Sequence, residues 1–328
     1  MPEAYEYVGC AFAAITFPFY CLLLEMVRRF SKETSRTNSF YFILLLHGYI
    51  DLVSLLNNII FYTLSRWGVC PQFYMWAGEP FLRIGFFLSW ACNVMQAQAT
   101  LLLGINRFTA IVYSQRHSQW WTSSRRAIAA FIILPGVVMG GVIMFSDMYY
   151  VPYDHGGVIP KMVNKALAHI GFGIAGLLLI LYCLALIFMY LYIWYVVRQH
   201  RFSAVYKVTD VPQTVQVVNR NAIQRRREKK LLIMSALICA TQVAASTFLV
   251  YKFTHGKIDQ DLSLYNFFST VYSAVNPYFV IAFSDVIRQR LVEAFTRSNK
   301  GLKVEPHHSS SLAVIGGNPR RTVTFSRG

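Results

Sequence analysis

With 328 residues, 55% of them hydrophobic, 16% aromatic and only 14% charged, the chain is too apolar for a water-soluble fold of its size. A net charge of +16 would suit a nucleic-acid partner if the basic residues were spread through a soluble domain. They are instead confined between apolar stretches, which excludes nucleic acid and points to a membrane protein.

A hydrocarbon core about 30 Å thick takes roughly 17 to 25 apolar residues in a helix. Seven stretches qualify, approximately Val8–Val27, Phe40–Leu64, Pro80–Val112, Ala127–Phe145, Ala166–Val197, Leu231–Tyr251 and Leu262–Phe283. The third and fifth are longer than one crossing but contain no loop signal, so each reads as one tilted helix projecting into the cytoplasm. The expected fold is an all-α membrane protein, a bundle of seven transmembrane helices. If the N-terminus is outside, 25 of the 31 lysines and arginines fall on the cytoplasmic side, leaving Arg66, Arg83, Lys161, Lys165, Lys252 and Lys257 outside. That asymmetry sets the expected topology, N-terminus out and C-terminus in. The first span lacks a basic segment before it and is followed by Arg28 and Arg29, so it reads as a retained signal anchor. A ligand must then be met by short outer loops or by the bundle itself.

Cys21, Cys92, Cys183 and Cys239 sit within apolar spans, where a thiol behaves as a small apolar group. Cys10 and Cys70 lie near the oxidising side and are free to pair or not as far as the sequence tells.

In the second span, His47 and Asp51 stand at i, i+4 on one helical face, and Ser54 and Asn58 continue the stripe. A carboxylate there faces the bundle interior. It serves either as an internal polar or ion site that lets two arrangements interconvert, or as a hydrogen-bonded residue that holds helices together. Arg107 follows Asn106 in an otherwise apolar run, where a guanidinium costs roughly 2.5 to 3.5 kcal/mol to insert unless it snorkels to the boundary or is partnered. One face of the outer third span carries Trp90, Asn93 and Gln96, and His169, Gln242, Tyr265 and Asn266 stand at outer or middle depth elsewhere. Together they are candidates for lining a ligand pocket between helices, or for the interfacial aromatic belt. In the seventh span Pro277 removes a backbone donor and frees a carbonyl, creating a polar spot where Asn276 and Asp51 are expected to meet. Beyond Ser284, Ile287, Leu291 and Phe295 recur among Arg288, Arg290 and Arg297, the pattern of an interfacial helix on the inner leaflet. Residues 1–297 thus form the membrane domain. Residues 298–328 read as a disordered basic Ser/Gly-rich cytoplasmic tail, with Ser309 to Ser311, Thr322 and Thr324 as phosphate acceptors.

Asn106-Arg107-Phe108 with TAIVYSQRH, the Asp51 of HGYIDL, and Asn276-Pro277 leading into FSDVIRQRL resemble three signatures of seven-helix G-protein-coupled receptors, in the right spans and order. More particularly, NSFYFILLLHGYIDL, INRFTAIVYSQRHSQWW and the short N-terminus resemble nematode serpentine chemoreceptors of the Srg superfamily, with its class G and class V relatives. The resemblance implies a chemosensory receptor in the plasma membrane, at the sensory cilium, that binds a small molecule and activates a heterotrimeric G protein, with membrane lipids as its surroundings. It further implies that Arg107 closes the resting bundle and meets the G protein once released. Glu228, in QRRREKKLLIM, is the nearest acidic candidate to hold it. Some positions depart from the pattern. Asn106 replaces the usual acid, Val280 stands where a tyrosine is expected with Tyr278 displaced, and Leu82 stands in place of the outer cysteine of the third helix. The fifth and sixth spans lack their usual prolines.

Two other classes are weaker. A metal-dependent membrane hydrolase would need a third ligand beside His47 and Asp51, for which His169 alone is at hand, and no HExxH, CxxC or GxSxG motif is present. A transporter would show repeated halves with paired broken helices, and none are found. The chain is read as a non-enzyme that needs no cofactor or metal.

Overall fold

The computed structural model describes residues 4–33, 39–122, 124–153, 156–163, 165–206, 230, 232–244, 247 and 262–300. Two compact units divide at Arg290, the first being Met1–Arg290 and the second Leu291–Gly328.

The apolar runs fold as helices. In chain order these are α1 (Ala4–Glu33), α2 (Ser39–Asn57), a π-helical turn (Asn58–Thr63), α3 (Leu64–Arg66), α4 (Pro71–Val112), α5 (Ser114–Thr122), α6 (Arg125–Ile143) and α7 (Lys165–Tyr206). They continue with α8 (Leu232–Ala244), α9 (Leu262–Phe283) and α10 (Asp285–Lys300). Among the described residues, five segments are long and apolar enough to cross a membrane: Ala4–Ser31, Ser39–Arg66, Pro71–Val112, Arg125–Ile143 and Gly173–Val196. Much of the predicted sixth span beyond Ala244 and the approach to the seventh lie outside the described residues, as do Glu228 and the tail from residue 301.

Large apolar side chains point outward from α6 and α7, among them Leu134, Val138, Leu181, Phe188 and Trp194. Lipid tails are as apolar as these side chains, so the exposed belt is at home only in a bilayer, and the chain is a multi-pass membrane protein. Inside, α4 packs on α2, α6 and α7, while α1 packs on α2 and α9. Leu23, Ile43, Leu55, Leu103, Ile132, Met234 and Ile238 fill the centre.

The contact between α4 and α6 is a backbone approach. A methyl group at Gly136 would lie 2.7 Å from the Ala91 carbonyl oxygen, and one at Gly140 would lie 2.8 Å from that of Phe87. Small residues four apart allow this contact, which in lipid replaces the missing hydrophobic drive between helices. At the start of α4, Gly78 has φ +59°, a conformation that favours glycine and breaks the helix, so the straight part begins beside Pro80, where the third apolar span begins in the sequence.

The all-α expectation needs a correction. Met148–Pro152 (β1) and Val158–Met162 (β2) pair antiparallel as a hairpin, Met148 opposite Met162 and Pro152 opposite Val158. The physical reason is local: Tyr149, Tyr150 and Val151 favour extended backbone, and Gly156, at φ +80°, takes up the turn. Met148 and Tyr150 alternate inward and pack with Val158 on Tyr74, Leu82, Phe86 and Trp90. Leu82, standing where a cysteine was expected, is 1% exposed in this cluster. Apolar packing thus covers the place of the missing disulfide. Burial pushes the Tyr150 phenol well above its ordinary value, with Tyr74 adding to the effect. Cys10 and Cys70 are not joined by a disulfide.

Candidate functional site

Asp51 is completely buried, and its carboxylate is the meeting point of four helices. The Tyr20 hydroxyl of α1 donates to Oδ2 at 2.6 Å, and Asn276 Nδ2 of α9 donates to the same oxygen at 2.7 Å. Gln96 Nε2 of α4 donates to Oδ1 at 2.7 Å and to Ser273 Oγ at 2.9 Å. His47 Nε2 lies 3.5 Å from Oδ1. A carboxylate accepts and never donates, so donors from three neighbouring helices converge on it without conflict. The stripe runs on toward the hairpin end: Ser273 donates to Ser54, and Asn58 Nδ2 donates to Ser269 at 3.1 Å. Pro277 cannot donate a backbone bond to the Ser273 carbonyl, so α9 is least self-sufficient where Ser273 and Asn276 enter this seam.

Gln96, a candidate with Trp90 and Asn93 for lining a ligand pocket, is completely buried, with its amide nitrogen engaged by Asp51 and Ser273. Eleven residues separate it from Arg107, about three helical turns, which puts it level with Asp51 rather than at the outer end. Trp90 is buried under the hairpin, and Asn93 Nδ2 bonds back to the Ser89 carbonyl at 2.7 Å. Gln242 is buried on α8. The side chains of His169 and Tyr265 lie outside the description. Asn266 lines a cavity with Glu6, Cys10, Arg66 and Phe267.

At the opposite end of the bundle, the snorkelling expectation for Arg107 is corrected. Its side chain is 8% exposed, and its guanidinium lies 3.7 Å from the centroid of the Phe40 ring. The negative ring face supplies at short range what water would supply at the boundary. Asn106 Nδ2 donates to Ser39 Oγ at 2.9 Å, so consecutive residues of α4 are both tied to the first turn of α2. Phe108 points elsewhere, toward Tyr192 of α7 at 5.6 Å. Behind Arg107, Thr109 Oγ1 accepts from Trp121 Nε1 at 2.9 Å and lies 3.0 Å from His117 Nδ1, which fixes α5 against α4. Burial, followed by the charge of Arg107, holds the His117 imidazole below its ordinary value. Lys230 Nζ reaches both oxygens of Asp285, at 2.7 and 2.6 Å.

Tyr278, the displaced tyrosine, turns onto α1: its hydroxyl is 2.9 Å from Thr16 Oγ1 and its ring stacks with Phe12 and Phe19. Val280, which takes the expected tyrosine's place, is buried in the core. Among the described residues, no group of three or more His, Cys, Asp or Glu could hold a metal ion.

Tyr20 and Ser273 were not foreseen. A signal for Tyr20 is its hydroxyl in the middle of an apolar run whose neighbouring aromatics, Phe17 and Phe19, carry none, and one for Ser273 is its position four residues before Pro277. No curated protein matches the chain. The profile of the serpentine type 7TM GPCR chemoreceptor Srv matches residues 10–297, from the first described helix through nearly all of α10. With the bundle, the buried Asp51 seam and the Arg107 end in view, that match over most of its length means that the chain belongs to the Srv family of serpentine chemoreceptors.

Proposed function

We propose that this chemosensory receptor binds a small molecule from the extracellular side, within the helix bundle, and activates a heterotrimeric G protein through its Arg107 end. Seven helices cross the plasma membrane of a sensory cell, at its cilium, with the N-terminus and the hairpin outside. On this reading α10 is the interfacial helix, drawn to anionic lipid of the inner leaflet. The wider Srg grouping rests on the sequence resemblance.

The observation that carries the proposal is the convergence of Tyr20, Gln96 and Asn276 on one buried carboxylate. Each donor belongs to a different helix, so a displacement of α9 or α4 changes which oxygen is satisfied by which partner. Such a network has a small set of discrete arrangements, and a ligand that favours one of them shifts the population. Pro277 places the adjustable backbone of α9 beside the carboxylate. At the other end, Arg107 must leave Phe40 before it can reach a partner protein, and Asn106 must release Ser39 if α4 is to move relative to α2. Glu228 is the acid proposed to restrain Arg107 at rest.

The test is G-protein activation per receptor at the cell surface. Asp51→Asn keeps the shape but sets an amide nitrogen among donors, so efficacy is expected to change while surface level is largely kept. Arg107→Ala is expected to retain ligand binding and lose coupling. Arg107→Lys is expected not to restore it, since a lysine lacks the planar fork of donors with which the released guanidinium would meet a partner protein. Full activation per surface receptor in Arg107→Ala would overturn the coupling role.

A further inference from the structure

Between the first turns of α1, the π-turn and the start of α9 lies a cavity of about 30 Å³, room for roughly two water molecules, which opens into a wider crevice. The π-turn shapes it. The Leu64 N–H bonds to the Ile59 carbonyl, so the turn holds one residue more than an α-helix would and rotates the following residues by about 100°. The carbonyl of Ile60, released by the wider turn, accepts from the Tyr74 hydroxyl at 2.6 Å. Ile59, Thr63 and Arg66 are thereby brought to one wall, facing Phe267 and Asn266 of α9. Gly9 forms part of the α1 wall, where a methyl group would stand 3.0 Å from Phe267.

The charges in this lining cancel. Arg66 Nε lies 3.0 Å from Glu6 Oε1, with the two side chains 19% and 7% exposed, and Arg66 Nη2 donates to the Tyr153 hydroxyl at 3.1 Å. Asn266 adds an acceptor: its Oδ1 is buried and, among the described residues, accepts no hydrogen bond. A buried carbonyl without a donor is costly, and one that lines a cavity can be met by a donor that enters there. Gly9, Ala13, Ile59 and Phe267 supply the apolar wall, and the hydroxyls of Tyr62, Thr63 and Thr270 that also line it are each engaged, by Ser89, the Asn58 carbonyl and the Asn58 side chain.

We infer that this crevice binds a small uncharged molecule bearing one hydroxyl on a short aliphatic chain, the hydroxyl donating to Asn266 Oδ1 and the chain lying against Ile59 and Phe267. The inference rests on the reading of the chain as a ligand-binding receptor and names the ligand class. A cation would gain from Glu6 but meet Arg66, and an anion the reverse. A neutral donor meets neither penalty.

Cys10 lines the cavity and is partly exposed, so its accessibility reports occupancy. Full-length receptor in nanodiscs is treated with a methanethiosulfonate reagent, and modification at each cysteine is read by mass spectrometry. Exposed Cys70 controls for reagent and bilayer effects, and Cys21, which faces lipid within the first span, remains unmodified with buried Cys92, Cys183 and Cys239 while the fold is intact. The probes are n-butanol, its isomer diethyl ether, which cannot donate, and n-butylammonium. Butanol is expected to slow modification of Cys10 several-fold and leave Cys70 unchanged, with ether and butylammonium much weaker. Asn266→Leu should need about tenfold more butanol for the same protection, the loss of one hydrogen bond. Gly9→Val, which fills the cavity and leaves Asn266 in place, should abolish protection as well, so a failure of one variant to fold does not end the test. Equal protection by butanol and ether, undiminished in Asn266→Leu, would overturn the inference, and so would stronger protection by butylammonium. No G protein takes part in this measurement, so a failure of coupling leaves its outcome standing.

Discussion

The interior of the bundle and its hairpin end hold together by opposite means. Around Asp51, four helices are joined by short, directed bonds between side chains up to 225 residues apart in sequence, all converging on one acceptor. Under the hairpin, Tyr74, Leu82, Phe86, Trp90 and Tyr150 pack as rings and branched chains, and the Tyr74 hydroxyl bonds away from the cluster to the Ile60 carbonyl. Directed bonds define distinct arrangements and make them mutually exclusive. Apolar packing stabilises without choosing. The part of the molecule suited to switching is therefore the seam, and the part suited to sealing the bundle is the hairpin cluster.

The largest expected effect breaks the seam. Asp51→Ala removes the shared acceptor of three buried donors, leaving Gln96 with Ser273 alone, and the loss should be about 3 to 5 kcal/mol, read as a lowered midpoint in a thermal melt of purified receptor. An unchanged midpoint would mean that the carboxylate holds nothing together. A smaller effect is expected at the other pole. Leu82→Ala should cost about 2 to 3 kcal/mol for the cavity it leaves, with basal signalling per surface receptor unchanged. A shift in basal signalling there would erase the division between the two regions.

The smallest effect concerns His117, which lies beyond both. Its imidazole is held below the ordinary value of 6.5 by burial and by Arg107, so the unfolded chain takes up this proton first as pH falls. Its share of stability is intact above about pH 6.5 and declines as pH drops toward the folded value. Melts of wild type and His117→Gln across that window should converge at low pH and separate at neutral pH. Parallel curves would remove His117 from the account.

Much of the seam could be read from the sequence because its grammar is local. His47 and Asp51 are one turn apart, and Pro277 marks the polar place on α9 beside Asn276. The depth of Gln96 is legible in its distance from Arg107, eleven residues on one helix, more than in its neighbours Trp90 and Asn93. The hairpin has a signal in Tyr149, Tyr150 and Val151 followed by Gly156 and Gly157, a weak one because the whole segment is short and lies between two long apolar spans. The π-turn has no such signature. It depends on Tyr74 taking up the Ile60 carbonyl, a partner supplied by another helix. The burial of Arg107 was hidden for the same reason, since Phe40 belongs to the start of α2, 67 residues earlier.

The first helix carries a consequence for how the protein is made. Thr16 is matched by Tyr278, 262 residues later, and Tyr20 shares its acceptor with Asn276. At ribosomal rates of about 5 to 20 residues per second, α1 leaves the exit tunnel roughly 10 to 50 s before its partners on α9 exist. During that interval the Thr16 hydroxyl must be satisfied by its own helix backbone, by water or by the insertion machinery. Biogenesis of this receptor therefore ends, as well as begins, with its N-terminal segment: the arrival of α9 allows α1 to settle, and a nascent chain stopped short of Tyr278 presents an α1 with part of its polar face still unclaimed.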